Sequence, residues 1–293
     1  MQAMILAAGF GTRLLPYTGF RPKPLFPLLN KPLLLLTIEH LQKAGFDHIV
    51  VNCHHLRAQI ADLLQGRQGV VVQEEDVILG TGGGLRLAVQ SLRDEPVLVT
   101  NGDIYHTVDL RFVYESHCRD TVPVTLVMHD FPRFNTVSVQ DDRVVGFDGG
   151  QGLLAFTGLH VLDPEILTAL PLLQPASIID LYRRLLLENK TIRCLRADGC
   201  YWTDMGTLED YLSLHAGLLT GTVPWWPELG PYPGSSFYLA PETHCSSTVH
   251  MQDWVCAGRA AIGNDVRLAR VVLWDGATVK DGSCLQDALI VQV

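Results

Sequence analysis

Short apolar runs alternate with helical patterns along the first half of the chain, and this alternation restricts the possible folds more than any other feature. The runs typical of buried strands are residues 3–8, 49–53, 70–73 and 96–100. The helical patterns between them are residues 33–44, 55–64 and 85–92. Strands that alternate with helices form βαβ units in a mainly parallel sheet. The sequence therefore predicts a doubly wound, Rossmann-like α/β fold that binds ligands beyond the carboxyl ends of its strands.

A glycine turn follows the first predicted strand, at this edge of the sheet. Gly9 and Gly11 allow a sharp turn that brings backbone N–H groups close to a ligand, and Arg13 and Lys23 follow them. Backbone donors beside two cations suit a polyphosphate. The turn is not a Walker A loop, and Leu14 stands where a dinucleotide fingerprint has its third glycine. The Gly-x-Gly pair alone fits an ordinary strand-to-helix turn equally well.

Towards the C-terminus the pattern changes twice. Strands come closer together from residue 124, with helices predicted at 177–188 and 207–219. Residues 221–236 are rich in proline and glycine and indicate a linker or an ordered crossover. Beyond them, small or aliphatic residues recur at every sixth position, which favours a left-handed parallel β-helix over an ordinary small β-domain. Those residues are Val266, Val272, Thr278, Cys284 and Ile290.

The predicted organisation is a catalytic domain at 1–220, a linker at 221–236 and a hexapeptide-type β-helix domain at 237–293. Composition excludes several classes of protein. The hydrophobic share of 47% excludes disorder, and a net charge of -9 argues against a nucleic-acid binder. No apolar run approaches the ~20 residues that span a bilayer, so we expect no membrane partner. Without a signal peptide or a disulfide framework, the sequence predicts a cytoplasmic protein.

Six separated motifs resemble, in order and spacing, the signature of the sugar-1-phosphate nucleotidyltransferases. They are residues 6–13, 21–25, 79–84, 101–103, 156–158 and 202–207. The resemblance covers residues 1–219, and the chain looks most like the mannose- and heptose-1-phosphate guanylyltransferases and the N-acetylmuramate-1-phosphate uridylyltransferases. It implies an enzyme that converts an NTP and a sugar 1-phosphate into an NDP-sugar and pyrophosphate.

The chemistry of this implied reaction needs charge neutralisation more than acid–base catalysis. The attacking phosphate oxygen is already anionic near neutral pH, because a phosphate monoester has its second pKa near 6. A general base is therefore unnecessary. The enzyme has to bring two anions into line at the α-phosphorus, which is a task of positioning and electrostatics.

The resemblance also assigns roles to residues. Arg13, Lys23 and Asp103 match the catalytic residues of the family, with the two cations on the triphosphate. The nucleotide-binding positions are Leu6, Ala8, Gly9, Gly11, Thr12, Arg13, Glu75, Gly80, Thr81, Gly82 and Gly83. The glycine run would let a base edge reach the backbone. The competing interpretation is a glycine-rich approach to a helix that binds nothing.

Asp103 and Asp204 match the two carboxylates that bind the catalytic Mg²⁺ in this family. Hard oxygen ligands suit Mg²⁺, which keeps water and substrate phosphates as its other ligands. The pair requires the fold to join two distant parts of the chain. Taken singly, Asp103 also fits an Asx turn and Asp204 an acid at a helix N-terminus.

The substrates are less constrained. Glu74 or Glu75 could accept hydrogen bonds from guanine, which favours GTP, although adjacent acids are commonly just solvated. A UTP-dependent enzyme acting on an N-acetylmuramate- or hexosamine-type 1-phosphate is the alternative. Asn101, Asn135 and Gly158 are the predicted sugar-phosphate residues, and either asparagine also fits a turn.

One family feature is missing. Residues 145–152 lack the Glu-Lys-Pro lysine that contacts the sugar phosphate in glucose-type relatives, which leaves Arg133 and Arg143 as candidates.

A third hypothesis is a non-catalytic paralogue that binds nucleotide-sugar and regulates an active partner. We expect the chain to form a homo-oligomer through its C-terminal domain. Because every motif precedes that domain, the sequence predicts that deleting 237–293 affects assembly more than chemistry.

Overall fold

The computed structural model describes residues 1–292; Val293, the last residue of the predicted C-terminal domain, lies outside them. The chain forms two units, each built from two segments. The first unit contains Met1–Phe10 and Leu41–Trp202, and the second contains Gly11–His40 and the chain from Thr203 onward. These units follow spatial packing, whereas the predicted boundaries at 220 and 236 follow composition, and those boundaries stay a prediction.

The secondary structure agrees with most of the predicted elements. The helices are α1 (Leu33–Lys43), α2 (Arg57–Leu64), α3 (Gly80–Ala88), α4 (Leu110–Cys118), α5 (Ile178–Leu187) and α6 (Leu208–Thr220). The strands up to the middle of the chain are β1 (Gln2–Leu6), β2 (Pro27–Leu28), β3 (Lys31–Pro32), β4 (His48–Cys53), β5 (Val70–Glu74), β6 (Val97–Asn101), β7 (Ile104–His106), β8 (Val124–His129), β9 (Asn135–Gln140) and β10 (Arg143–Gly146). The later strands are β11 (Leu153–Leu162), β12 (Ile192–Arg196), β13 (Trp202–Asp204), β14 (Phe237–Leu239), β15 (His244–Cys245), β16 (His250–Ala257), β17 (Ala261–Ile262), β18 (Arg267–Leu273), β19 (Thr278–Val279) and β20 (Cys284–Ile290).

The first unit contains a nine-stranded sheet in the order β5-β4-β1-β6-β11-β8-β12-β10-β9. The half from β5 to β6 is parallel, as predicted. The other half corrects the expectation of a mainly parallel sheet, because β11 runs antiparallel to both of its neighbours and β10 antiparallel to β12 and β9. The reason is that β11 and the β9–β10 hairpin enter the sheet without crossover helices, so they need not be parallel.

Both faces of this sheet are covered. Successive residues of β1 point to opposite faces, yet Ala3, Met4 and Ile5 are all fully buried. On one face, Leu85 of α3 and Leu181 of α5 pack into the same apolar core as Met4. In the described chain, residues 1–292, no helix is both long and apolar enough to cross a membrane.

The C-terminal part of the second unit consists of parallel coils, which we call the C-terminal coils (residues 237–292). One parallel sheet runs β14-β16-β18-β20 and a second runs β15-β17-β19. Paired residues on neighbouring coils are 16 to 18 positions apart, and Arg270 pairs with Asp253 and Asp287, each 17 positions away. Helix α6 packs against β16, β18 and β20.

The six-residue period does not describe what the coils bury. Val266 and Val272 are buried, but Thr278 and Cys284, which continue the same period, are exposed. The core follows the register of the paired strands, in which Leu268 and Leu273 of β18 are buried. Most paired residues on neighbouring coils are 16 or 17 positions apart, which is not a multiple of six, so a strict period of six does not keep the register of the strands.

Residues 221–236 include side chains that pack in a defined way, and the division into domain, linker and C-terminal domain stays a prediction. Trp226 is 3% exposed and stacks on His40, with ring centroids 4.4 Å apart. The indole N–H of Trp225 donates to the carbonyl of Gly230 at 2.7 Å. The two tryptophans therefore pack within the second unit as structural residues.

Candidate functional site

Three hydrogen bonds connect the two glycine loops in the first unit. The backbone N–H of Ala7, just after β1, donates to Asn52 Oδ1 at 2.8 Å. Asn52 Nδ2 in turn donates to Glu75 Oε1 at 2.7 Å. Glu75 Oε2 accepts from the N–H of Leu79, next to the second loop, at 3.1 Å. Asn52 is thus a site residue that the sequence prediction missed; its only signal is a polar residue near the end of a buried strand.

Glu75 is 1% exposed, whereas its neighbour Glu74 faces solvent. Besides Asn52 and Leu79, the Glu75 carboxylate accepts from Gln73 Nε2 at 3.4 Å. A carboxylate has about four lone-pair positions, so these donors leave about one position unused. Glu74 Oε2 lies 3.3 Å from Arg57 Nε in an ion pair at the surface. Glu74 is therefore a solvated acid, which is one of the two interpretations that the sequence allows.

The second glycine loop is the first turn of α3, and its glycines pack against other backbone. A Cβ on Gly83 would lie 2.5 Å from the carbonyl oxygen of Gln174, and one on Gly82 would lie 2.8 Å from the carbonyl carbon of Ser177. Gly82 and Gly83 are buried, while Gly80 and Thr81 are exposed. The buried glycines therefore make room for residues 174–178, and the exposed pair is what a nucleotide could reach.

Hydrogen bonds hold residues 174–178 on this loop. Gly82 N–H donates to the carbonyl of Ala176 at 2.9 Å, and Ala176 N–H donates to the carbonyl of Leu79 at 2.9 Å. The Thr81 hydroxyl accepts from Ile178 N–H at 3.1 Å. This segment supports the loop, and the sequence prediction did not include it because it lies about a hundred positions away.

Asp103 and two of the predicted sugar-phosphate residues, Asn101 and Gly158, lie around the end of β6. Gly102 N–H donates to the carbonyl of Leu6 at 2.9 Å, which places the half-buried Asp103 beside the start of the first glycine turn. Gly158 has φ 81°, and a Cβ there would lie 2.4 Å from Asn101 Nδ2. The structure thus brings Asn101 and Gly158 together.

Asn135 belongs to a different environment. Its Oδ1 accepts from Phe131 N–H at 2.9 Å and its Nδ2 donates to Asp130 at 2.8 Å, so its amide closes the turn before β9. A role in a turn is one of the two interpretations that the sequence allows for Asn135. A contact between Asn135 and the sugar stays a prediction. The guanidinium of Arg133 lies over the ring of Phe134, 4.9 Å from its centroid.

In the second unit, Gly11 begins the part of the signature that carries the cations. Gly11 has φ 63°, and a Cβ on it would lie 2.8 Å from Thr18 Cγ2 and 3.4 Å from Lys23 Cβ. A side chain at this position would be both strained and crowded. Lys23 begins a short 3₁₀ turn and is only 7% exposed. Its stem is thus held beside the glycine turn.

Arg13 and Asp204 form the other half of this cluster. Arg13 Nη2 lies 3.8 Å from Asp204 Oδ2, and their side chains are 60% and 16% exposed. A Cβ on Gly206 would lie 2.6 Å from Asp204 Oδ2 and 2.9 Å from Arg13 Nη1. The next residue, Thr207, caps α6 and so fixes the chain just after Asp204. Arg13, Thr12, Lys23 and Asp204 therefore belong to one unit, which their spacing in the sequence does not predict.

A divalent ion is compatible with the available ligands. Within residues 1–292, no group of three or more His, Cys, Asp or Glu side chains is arranged to hold a metal ion. Carboxylates completed by phosphate oxygens and water are the ligand set that Mg²⁺ prefers. Asp204 is a carboxylate of this kind, and its Oδ2 lies 3.8 Å from Arg13 Nη2.

Glycine turns after parallel strands in the first unit, and a cluster of cations and an acid in the second, are each typical of nucleotide-dependent α/β enzymes. A family profile described as nucleotidyl transferase matches residues 2–221, and the chain belongs to this family. It is similar to the mannose-1-phosphate guanylyltransferase of Mycobacterium tuberculosis, with 29% identity over 98% of this chain and 83% of the relative. It is also 29% identical to the UTP–glucose-1-phosphate uridylyltransferase of Synechocystis sp., over 75% of this chain and 64% of the relative.

The crystal structure of HddC from Yersinia pseudotuberculosis superposes with a TM-score of 0.62 and 26% identity. The match covers 72% of this chain and 96% of HddC. The resemblance drawn from the motifs is thus confirmed, together with the Rossmann-like fold and the conclusion that the protein is an enzyme. These matches span both guanylyl and uridylyl transfer.

Proposed function

We propose that the protein transfers a nucleotidyl group, preferably from GTP, to a sugar 1-phosphate. The observation that carries this proposal is the cluster of Arg13, Lys23 and Asp204 around Gly11 and Gly206 in the second unit. Two cations near Gly11, whose φ of 63° favours glycine, suit a triphosphate better than a neutral ligand. The names of the relatives supply the sugar 1-phosphate as the second substrate.

In the proposed reaction, an oxygen of the sugar phosphate forms a bond to the α-phosphorus of the NTP, and the bond from that phosphorus to the β-phosphate oxygen breaks. Pyrophosphate leaves with the electron pair. Arg13 and Lys23 would neutralise the charge that develops on the phosphates, and a buried lysine is less screened by water than a surface lysine. Asp103 and Asp204 would hold Mg²⁺, which would supply further charge neutralisation and orient the phosphates.

Guanine is the base we propose, with uracil as the alternative. Glu75 lies next to the second glycine loop and retains about one acceptor position, which could accept from N1–H or the amino group of guanine. The exposed Gly80 and Thr81 are the positions proposed to contact the base. The guanylyltransferase relative supports GTP, and the uridylyltransferase relative supports the alternative.

Product formation from a substrate panel tests this proposal. GTP, UTP, CTP, dTTP and ATP are each incubated with Mg²⁺, pyrophosphatase and a panel of sugar 1-phosphates, and phosphate release is measured. We expect turnover that is highest with GTP. A preference for UTP with an amino-sugar or muramate 1-phosphate would establish the alternative. A complete absence of turnover would favour a non-catalytic regulatory paralogue.

The first variant to examine is Asp103→Asn. We expect the rate to fall by roughly two orders of magnitude or more, because an amide is a much weaker ligand for Mg²⁺. Thermal unfolding should change little, since Asp103 is only half-buried. Asp62→Asn, an exposed acid on α2, is the matched control and should retain the wild-type rate. A near-normal rate in Asp103→Asn would show that this metal ligand is wrongly assigned.

The C-terminal coils carry two structural proposals. We propose that they wind as a left-handed β-helix, supported by their two parallel sheets, whose paired residues are 16 to 18 positions apart. We also propose that copies of the chain associate through them. Light scattering coupled to size-exclusion chromatography measures the mass, and a monomer at all concentrations would contradict the second proposal.

A further inference from the structure

The segment that carries Lys23 packs directly on the C-terminal coils. The guanidinium of Arg21 lies 4.6 Å from the ring centroid of Trp274, which follows β18. Phe26 makes an edge-to-face contact with the same indole at 4.7 Å between ring centroids. Trp274 therefore contacts this segment on both sides of Lys23.

A pair of hydrogen bonds strengthens this contact. The indole N–H of Trp274 donates to the hydroxyl of Tyr211 at 3.0 Å, and that hydroxyl donates to the carbonyl of Pro27 at 2.6 Å. Tyr211 lies on α6 and is fully buried, and Trp274 is 3% exposed. The segment from Arg21 to Pro27 is thus fixed at both ends by groups that water does not reach.

A second attachment follows within a few residues. Asn30 Nδ2 donates to the carbonyl of Ala257 at 3.3 Å, and a Cβ on Gly258 would lie 3.0 Å from Asn30 Oδ1. Burial lowers the pKa of Arg21, as expected for a guanidinium that has exchanged water for an aromatic face. The C-terminal coils therefore pack against the segment that contains the signature motif at residues 21–25.

We propose that Trp274 is a positioning residue that holds Lys23 in place, so that the C-terminal coils complete the site for nucleotidyl transfer. This inference rests on the proposed function of Lys23. Lys23 sits between Arg21 and Phe26, and a displacement of about 1 Å at a catalytic group lowers rates by as much as a hundredfold. The sequence predicts that removing residues 237–293 affects assembly more than chemistry. From these contacts we expect the opposite, namely that the removal affects chemistry more.

The test compares two tryptophans of the same coils. Trp274→Leu removes the contact with Arg21 and the indole N–H. Trp254→Leu is the matched control, because Trp254 is 4% exposed and stacks near His215, with 6.4 Å between ring centroids. We expect Trp274→Leu to lower kcat/KM for the NTP by roughly tenfold or more, and Trp254→Leu to stay within about twofold of wild type. Trp274→Phe keeps an aromatic face for Arg21 and should restore most of the lost activity.

Hydrogen exchange measures the same positioning without turnover. The amides of Leu25 and Phe26 donate to the carbonyls of Pro22 and Lys23 at 2.8 and 3.0 Å, so they report on the lysine segment. We expect Trp274→Leu to accelerate their exchange while Trp254→Leu does not. If wild type turns over no NTP, the proposed function fails, and exchange alone then decides whether Trp274 holds the segment.

Two results would overturn the proposal. One is wild-type exchange at Leu25 and Phe26 in Trp274→Leu. The other is an equal loss of activity in both leucine variants, which would indicate general destabilisation. Should Trp274→Leu not fold, Tyr211→Phe replaces it, because it removes only the bonds to Trp274 and Pro27. Unchanged exchange and unchanged kcat/KM in Tyr211→Phe would then be the contradicting result.

Discussion

At the scale of single residues, the side chain of Asn52 links the two glycine loops. Its amide oxygen and nitrogen satisfy a buried backbone N–H of Ala7 and the buried carboxylate of Glu75 at the same time. Only a side chain with both a donor and an acceptor can do this. The loops are therefore held in a fixed relation before any nucleotide binds, which lowers the entropic cost of binding.

We predict that Asn52→Ala destabilises the protein by roughly 1–3 kcal/mol, because it leaves a buried donor and a buried acceptor with fewer partners. The KM for the NTP should rise as well, since both loops are released. Chemical denaturation and initial-rate kinetics measure the two effects. Gln65→Ala, at an exposed position after α2, should change neither quantity. Unaltered stability in Asn52→Ala would show that the hydrogen bonds to Ala7 and Glu75 contribute nothing.

Sequence motifs indicated Arg13, Lys23, Asp103 and Asp204, because each lies in a short string of residues with its own chemical logic. They did not indicate Asn52 or Trp274. The partners of these two residues lie 23 positions away or farther, and no local pattern encodes such a distance. The supporting residues of this site were therefore outside what the sequence alone could predict.

At the scale of secondary-structure elements, α3 shows how packing decides the use of glycine. Alanine in place of glycine in a helix gains about 1 kcal/mol from propensity alone. At Gly83, however, the new Cβ would lie 2.5 Å from a backbone oxygen of residue 174, and backbone cannot rotate away as a side chain can. The steric cost should exceed the gain.

We therefore predict that Gly83→Ala destabilises the protein by roughly 1–3 kcal/mol, as overpacked sites do. It should also weaken NTP binding, because residues 174–178 hold the loop. Denaturant unfolding gives the stability, and nucleotide titration gives the affinity. Gly19→Ala is the control, since no atom lies within 4 Å of the added Cβ, and its stability should stay within about 0.5 kcal/mol of wild type. If the Gly83→Ala variant is more stable than wild type, the gain in helix propensity exceeds the steric cost.

Elements with strong local periodicity were predictable, and elements defined by distant pairing were not. The bounds predicted for α1 and α5 agree with the structure within about one residue, because their apolar faces and caps are local signals. Helix α4 was missed, although Asp109 caps it by accepting from Phe112 N–H at 2.9 Å, because its apolar residues are interrupted by exposed ones. The antiparallel half of the sheet was missed because strand direction depends on pairing.

At the scale of the whole molecule, stability depends on burying two histidines in the neutral form. Burial lowers the pKa of His160 to about 3 and that of His215 to about 4. Neither ring nitrogen of His160 has a hydrogen-bond partner within residues 1–292, and its neighbours are the rings of Phe156 and Tyr182. Protonating His160 in place would therefore leave a charge in an apolar core.

Acid should unfold the protein through these histidines. Their pKa is lower in the folded state than the ordinary value of 6.5, so below pH 6.5 the unfolded chain binds more protons than the folded chain. The stabilisation is complete above pH 6.5 and is lost as the pH falls towards 3 for His160 and 4 for His215. Each neutral histidine adds a slope of about 1.4 kcal/mol per pH unit within its range.

His160→Phe isolates one of these contributions. We expect the variant to match wild-type stability within about 1 kcal/mol at pH 7.5, because phenylalanine fills a similar aromatic site and leaves no unpaired nitrogen. Between pH 6.5 and 4.5 its free energy of unfolding should fall less steeply, by about 1.4 kcal/mol per pH unit. Urea unfolding at several pH values measures the slope, and His250→Gln, at an exposed position, should leave it unchanged. Identical slopes in wild type and His160→Phe would mean that His160 becomes protonated without unfolding.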